Sequence, residues 1–272
     1  MSRDFDILQF ELGQAEFKTL SGRQRHQIVG CMHAHNELSV LNRILMFSLN
    51  DVGEGELHDA AHGVQMWCIM QVLAGKLIET WTMFEGRVLK AYPEDPVLAA
   101  LSKSERENLD WLKDYFKVKQ NPLRIIRDKT GFHYDKLNLD EASAELVSPE
   151  SRIYLAQHPA NASYYAGSAL VFRSVFAMIG SDPAKDRREW VKAGIDKTFV
   201  DIEQVNWRLH DVLYGIIGAL LASAFGKPLD DIERTRISVK DARKASQIAL
   251  PMFIDIGGDD DVGPAPNAGG KA

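Results

Sequence analysis

The sequence predicts an all-α fold: a multi-helix bundle of long antiparallel helices, with room for one short β-hairpin. Two observations carry that reading. Apolar residues recur at helical spacing over most of the chain, and the breaks between these stretches are rich in Gly, Pro, Asn and Asp. The 272 residues are 45% apolar and 26% charged, which supplies a sizeable core and excludes a disordered chain.

The elements follow in order. Residues 21–50 carry an apolar stripe through Ile28, Met32, Leu38, Leu41 and Leu45, broken by Asn50, Asp51, Gly53 and Gly55. A second long helix is expected over 59–91 and stops at Tyr92-Pro93 and Asp95-Pro96, because proline disfavours helix in its predecessor. Ser104 with Glu107 three residues on reads as a capping box opening a third helix. Asn121-Pro122 reads as an N-cap with proline at N1, opening a fourth helix towards His133. Asp140 is a candidate cap for a short helix. The run 152–156 and the weakly alternating run 232–239 are candidate strands, paired with each other. Helix returns over 163–179. Gly180, Ser181, Asp182 and Pro183 form a turn with a cap and a second N1 proline, and one or two helices continue to Phe225. Residues 1–256 read as a single helical domain, and 257–272 as a disordered acidic tail.

Composition bounds the function. A net charge of −6 argues against a globally basic nucleic-acid binder. Two cysteines cannot build a disulfide framework, so a reducing cytoplasm is expected; Cys31 and Cys68 fall within the long helices as packed thiols. The start shows no basic-then-apolar leader. The most apolar stretch, 212–225, is about 14 residues against the roughly 20 of a membrane span, so a buried core helix and no membrane are expected. Its small residues, Gly215 and Gly218 among them, permit close helix contact across a dimer interface.

One segment suggests chemistry. In LRIIRDKTGFHYD, Arg127 is followed by the polar Asp128 and, after five intervening positions, by His133. This resembles the HEPN-type superfamily, helical bundles whose ribonuclease members carry Arg, a polar residue and a His at such spacing. The resemblance implies a homodimer whose two motifs meet at the interface, and RNA cleavage by the 2′-hydroxyl without metal or cofactor. In such a toxin or defence effector, an antitoxin-like protein is a further expected partner. His133 would exchange protons near neutral pH. Arg127 would clamp the phosphate, and Asp128 would orient its neighbours. Seven basic residues against three acids between Lys113 and Lys136 make this stretch locally positive, with Lys119, Arg124 and Lys129 as phosphate-binding candidates. Arg152 and His158 repeat the spacing without a polar follower and serve as an internal comparison.

Rival chemistries are thinly represented. His58 and His62 are four apart and share a helix face, but neither Glu-x-x-His nor His-Glu-x-x-His occurs, so no metal site is expected. Phosphate loops and nucleophile elbows are missing. The alternative to a ribonuclease is a noncatalytic helical dimerisation or binding protein of the same fold.

Overall fold

The computed structural model describes residues 3–50, 53–90, 95–131, 137, 139–148 and 150–254. The first two sequence stripes form α2 (Gly22–Ser48) and α3 (Glu56–Phe84), preceded by a short α1 (Gln14–Thr19). Ser21 starts α2 with a capping box in which its hydroxyl and Gln24 exchange hydrogen bonds with each other's backbone N–H. α2 and α3 run antiparallel, since His62 near the start of α3 touches the Ser48 carbonyl while Gln27 reaches the Arg87 carbonyl beyond its end. α3 does not continue to residue 91 as one α-helix. It passes at Phe84 into a π-type turn, Glu85–Leu89.

A four-residue helix, α4 (Pro96–Ala99), leads to α5 (Lys103–Lys117). The capping box that opens α5 is Ser102 with Glu105, two residues ahead of the expected Ser104 and Glu107. Both pairs satisfy the pattern, and the earlier one lengthens the helix. The α6 helix (Pro122–Ile126) begins as expected, with Asn121 Oδ1 accepting from the Arg124 N–H at 3.0 Å. A short α7 (Leu139–Ser143) holds Asp140 in its first turn rather than as its cap.

The second half is dominated by α8 (Tyr165–Ile179) and α9 (Arg187–Phe225). α9 is one helix of 39 residues, and it starts at Asp186, whose carboxylate accepts from the Glu189 N–H. The expected start at Asp182-Pro183 is instead a turn, with Asp182 capping Ala184. Gly226, at φ 65°, ends α9 in the left-handed conformation glycine favours, and Lys227 N–H returns to the Ala222 carbonyl.

Polar pairs fix the register around α9. His35 of α2 meets His210, and Thr19 beneath it donates to the Ala224 carbonyl, so α2 and α9 are antiparallel. Tyr115 donates to Asp201 at 2.9 Å and Asn108 to Asp211 at 2.7 Å, which sets α5 antiparallel to α9 as well. A side chain on Gly194 would collide with the Phe176 backbone, so α8 crosses α9 at backbone contact. The Glu105 side chain of α5 lies over Gly215.

One apolar core joins α2, α3, α5, α6, α8 and α9, with Leu38, Leu73, Leu112, Leu123, Phe176 and Leu213 all fully buried. Trp81 of α3 stacks on Phe116 of α5 with ring centroids 4.8 Å apart. By length and composition α9 is able to cross a membrane; here its Val205, Leu209, Val212, Ile216 and Leu220 are spent on this core.

The hairpin is rearranged. β1 (Arg3–Gln9) pairs antiparallel with β2 (Thr235–Ala242) as a two-stranded ribbon, Ile7 opposite Ile237. The run at 152–156 contributes only an isolated bridge between Tyr154 and Ser163. Phe5, Ile7, Leu8 and Ile237 are all exposed, so the ribbon has no core face to impose the alternation that would mark it. The expected tail 257–272 lies outside the described residues.

Candidate functional site

The segment singled out by the sequence sits where α6 docks on α3. Leu123 and Ile126 are fully buried and anchor α6. Beyond Ile126 the backbone widens into a second π-type turn, Arg127–Gly131. Thr130 Oγ donates to the Ile126 carbonyl at the start of this turn, at 3.0 Å. π-type turns inside helices recur at functional positions.

The turn divides its side chains between two environments. Arg127 lies on the surface over α3, where Nη2 donates to Glu79 Oε1 at 2.8 Å and Nη1 lies 3.5 Å from Asp128 Oδ1. Arginine and its polar follower are thus in contact, but two carboxylates surround the guanidinium. Arg124 points back along the chain and donates to the Phe116 carbonyl at 3.2 Å, fastening the end of α5. Lys119 is exposed. His133 lies outside the described residues, so its relation to Arg127 does too. The positive stretch is partly neutralised within the fold, because Lys113 pairs with Asp110 and Lys117 with Asp114.

The comparison pair has a structural explanation. Arg152 pairs with Glu56, and His158 Nδ1 accepts from the Ala160 N–H at 3.2 Å, capping a short turn. The histidines at 58 and 62 also serve the fold. His62 contacts the Ser48 carbonyl, and His58 meets the Phe253 ring edge to face. Among the described residues no three His, Cys, Asp or Glu side chains converge as a metal site would require.

Lys129 and Thr130, on the other side of the turn, face a cavity of about 640 Å³ between α3 and α8. Trp67, Val171, Leu137 and Leu139 supply apolar walls, and Gln71 and Ser168 add polar atoms. Cys68 lines it too and is exposed, which corrects its expected role as a packed thiol; Cys31 is buried as expected. Partial desolvation by the surrounding side chains raises the Cys68 thiol pKa above its ordinary value. Trp67 is held from behind by Phe172 and Phe176, edge to face at 5.8 and 5.2 Å. A smaller cavity of about 100 Å³ shares Trp67 and Ser168 and runs on towards Gly63, Met66 and Phe172. A volume of this size with apolar walls and a few polar groups is typical of small-molecule sites. Sequence reasoning missed this cavity, because its lining is gathered from α3, α7, α8 and the turn.

No protein family, curated protein or solved structure matches this chain.

Proposed function

We propose that this protein is a noncatalytic helical binding protein whose ligand site is the cavity between α3 and α8. The observation that carries this reading is the division of labour in the turn after α6. Its arginine is closed on the surface by Glu79 and Asp128, while Lys129 and Thr130 line an apolar cavity of about 640 Å³. The test uses 1-anilinonaphthalene-8-sulfonate, whose fluorescence rises on entering an apolar site. The dye should bind the native chain at one equivalent, and Gly167→Leu should abolish the signal, because a side chain on Gly167 grows into open space at the cavity wall. A dye signal that survives Gly167→Leu unchanged would overturn this site.

A second reading, a metal-independent HEPN-like ribonuclease acting as a homodimer, is favoured by the contact between Arg127 and Asp128 and by exposed Lys119. It requires RNA cleavage that persists in EDTA and disappears in both Arg127→Ala and His133→Ala, with dimer-sized particles by light scattering. Cleavage with that pattern would displace the noncatalytic reading.

A further inference from the structure

We propose that the open strip of α9 between α2 and α5 is a docking surface for a basic amphipathic helix of a partner protein, seated on Val200, Trp207 and Tyr214. The strip shares no lining residue with the cavity between α3 and α8 and stands independently of it. Its three apolar residues are seven apart in sequence and all exposed, Tyr214 at 68%. The stripe that builds the core, through Leu209, Leu213 and Ile216, lies on the opposite side of the helix. α9 therefore carries a second apolar face that the described chain leaves uncovered. Contacts mark its two edges. His35 of α2 meets His210 and Tyr214, while Trp111 and Tyr115 of α5 meet Arg208 and Asp201.

The spacing selects a helix as the occupant. Residues seven apart drift by only about 20° around an α-helix, so a second helix crossing at a shallow angle touches all three. Val200 to Tyr214 spans about 21 Å, four turns of such a partner. Two of the anchors are braced from behind: Arg208 lies 4.2 Å from the Trp207 ring centroid, and the His35 ring is 6.5 Å from that of Tyr214. Aromatic side chains already held in place lose little freedom on docking, and they dominate the energetics of interfaces.

Charge selects a basic helix. Asp196, Glu203 and Asp211 run along the same strip, and no lysine or arginine among the described residues forms an ion pair with them. Asp211 accepts from the neutral Asn108 amide, which leaves its charge unbalanced. The cations of α9 nearby are committed elsewhere: Arg208 is held between two indoles, and Lys197 acts on Asp201. Burial keeps His210 uncharged at neutral pH. A helix with lysine or arginine beside its apolar stripe thus meets three carboxylates. An acidic helix, or the same strip on a second copy, is repelled by them.

The test is fluorescence anisotropy of the full chain with two labelled synthetic helical peptides of about 18 residues, five turns. Both carry the same leucine stripe, one with lysine and the other with glutamate at the remaining positions. The lysine peptide should bind at least tenfold more tightly than the glutamate peptide. Trp207→Ala and Tyr214→Ala should each weaken it at least tenfold, with unchanged circular dichroism spectra. Tyr214, the most exposed of the three, can be truncated without touching the core. Glu203→Lys should weaken the lysine peptide about fivefold and tighten the glutamate peptide. Asp140→Lys in α7, which packs on α8, should leave both within about twofold. Equal binding of the two peptides overturns the basic partner. Binding that survives both alanine changes, or that Asp140→Lys weakens as much as Glu203→Lys, overturns the strip as its site. Binding of neither peptide overturns the proposal; if light scattering then shows a dimer that Tyr214→Ala makes monomeric, the occupant is a second copy instead.

Discussion

Arg127 donates to Glu79 at 2.8 Å, so the turn after α6 is fastened to α3 by an ion pair at the surface. The two side chains are 38% and 53% exposed, which places the pair in the weak class. Exposed pairs contribute up to about 1 kcal/mol, because water already screens both charges. Glu79→Gln should therefore cost less than about 1 kcal/mol by urea denaturation. The same change relieves Arg127 of one carboxylate. Under the noncatalytic reading, the affinity for a single-stranded RNA oligonucleotide, read by fluorescence anisotropy, should change less than twofold. A tenfold gain would mean that Arg127 is a phosphate ligand held back by Glu79.

The edge-to-face contact of His35 with His210, ring centroids 4.7 Å apart, predicts an acid sensitivity. Burial, and secondarily the neighbouring His35, lower the His210 pKa to about 4, and burial lowers that of His35 in the same direction. A histidine whose folded pKa lies below its unfolded value of 6.5 disfavours the fold once protonated. Its stabilising contribution is whole above pH 6.5 and is lost as pH falls towards about 4. His210→Asn should flatten the fall in urea midpoint across that window relative to the native chain. Identical pH profiles would show that the pair does not titrate with folding.

Arg208 lies between two indoles, its guanidinium carbon 4.2 Å from the ring centroids of both Trp111 and Trp207. A planar guanidinium stacks on both faces, whereas a lysine ammonium cannot. Arg208→Lys should lose about 1 kcal/mol, roughly the worth of a cation–π contact at a partly exposed site. The loss should come with a change in tryptophan emission as Trp207, already 43% exposed, gains freedom. A variant with native stability and native emission would show that the stack contributes nothing.

The long helices were legible because each has a face that must be dry. Ile28, Leu38 and Leu45 of α2 are all buried where the spacing places them, as are Val205, Leu209, Leu213, Ile216 and Leu220 of α9. The Asn121 cap and the turn at 180–183 were legible for a different reason, since they depend on side-chain chemistry a few residues long. What stayed hidden depends on residues distant in sequence. The ribbon partners lie over 200 positions apart, and Gly194 acquires its role only when α8 arrives against it. The candidate site divides in the same way. Arg127 and Asp128 are sequence neighbours and do touch, whereas Glu79, which restrains Arg127, comes from another helix. The cavity was invisible because no single stretch of sequence encodes a void.

The pairing of β1 with β2 also carries a kinetic meaning. Ser238 donates to Asp6 across a separation of 232 residues, so this contact closes a very long loop. Closing such a loop costs entropy that local helical contacts do not. The ribbon's own side chains are largely exposed and return little apolar burial. It should therefore be the last piece to zip up and the first to fray. Its amide protons should exchange with solvent ahead of those in the buried middle of α9, through openings that leave the helical bundle intact.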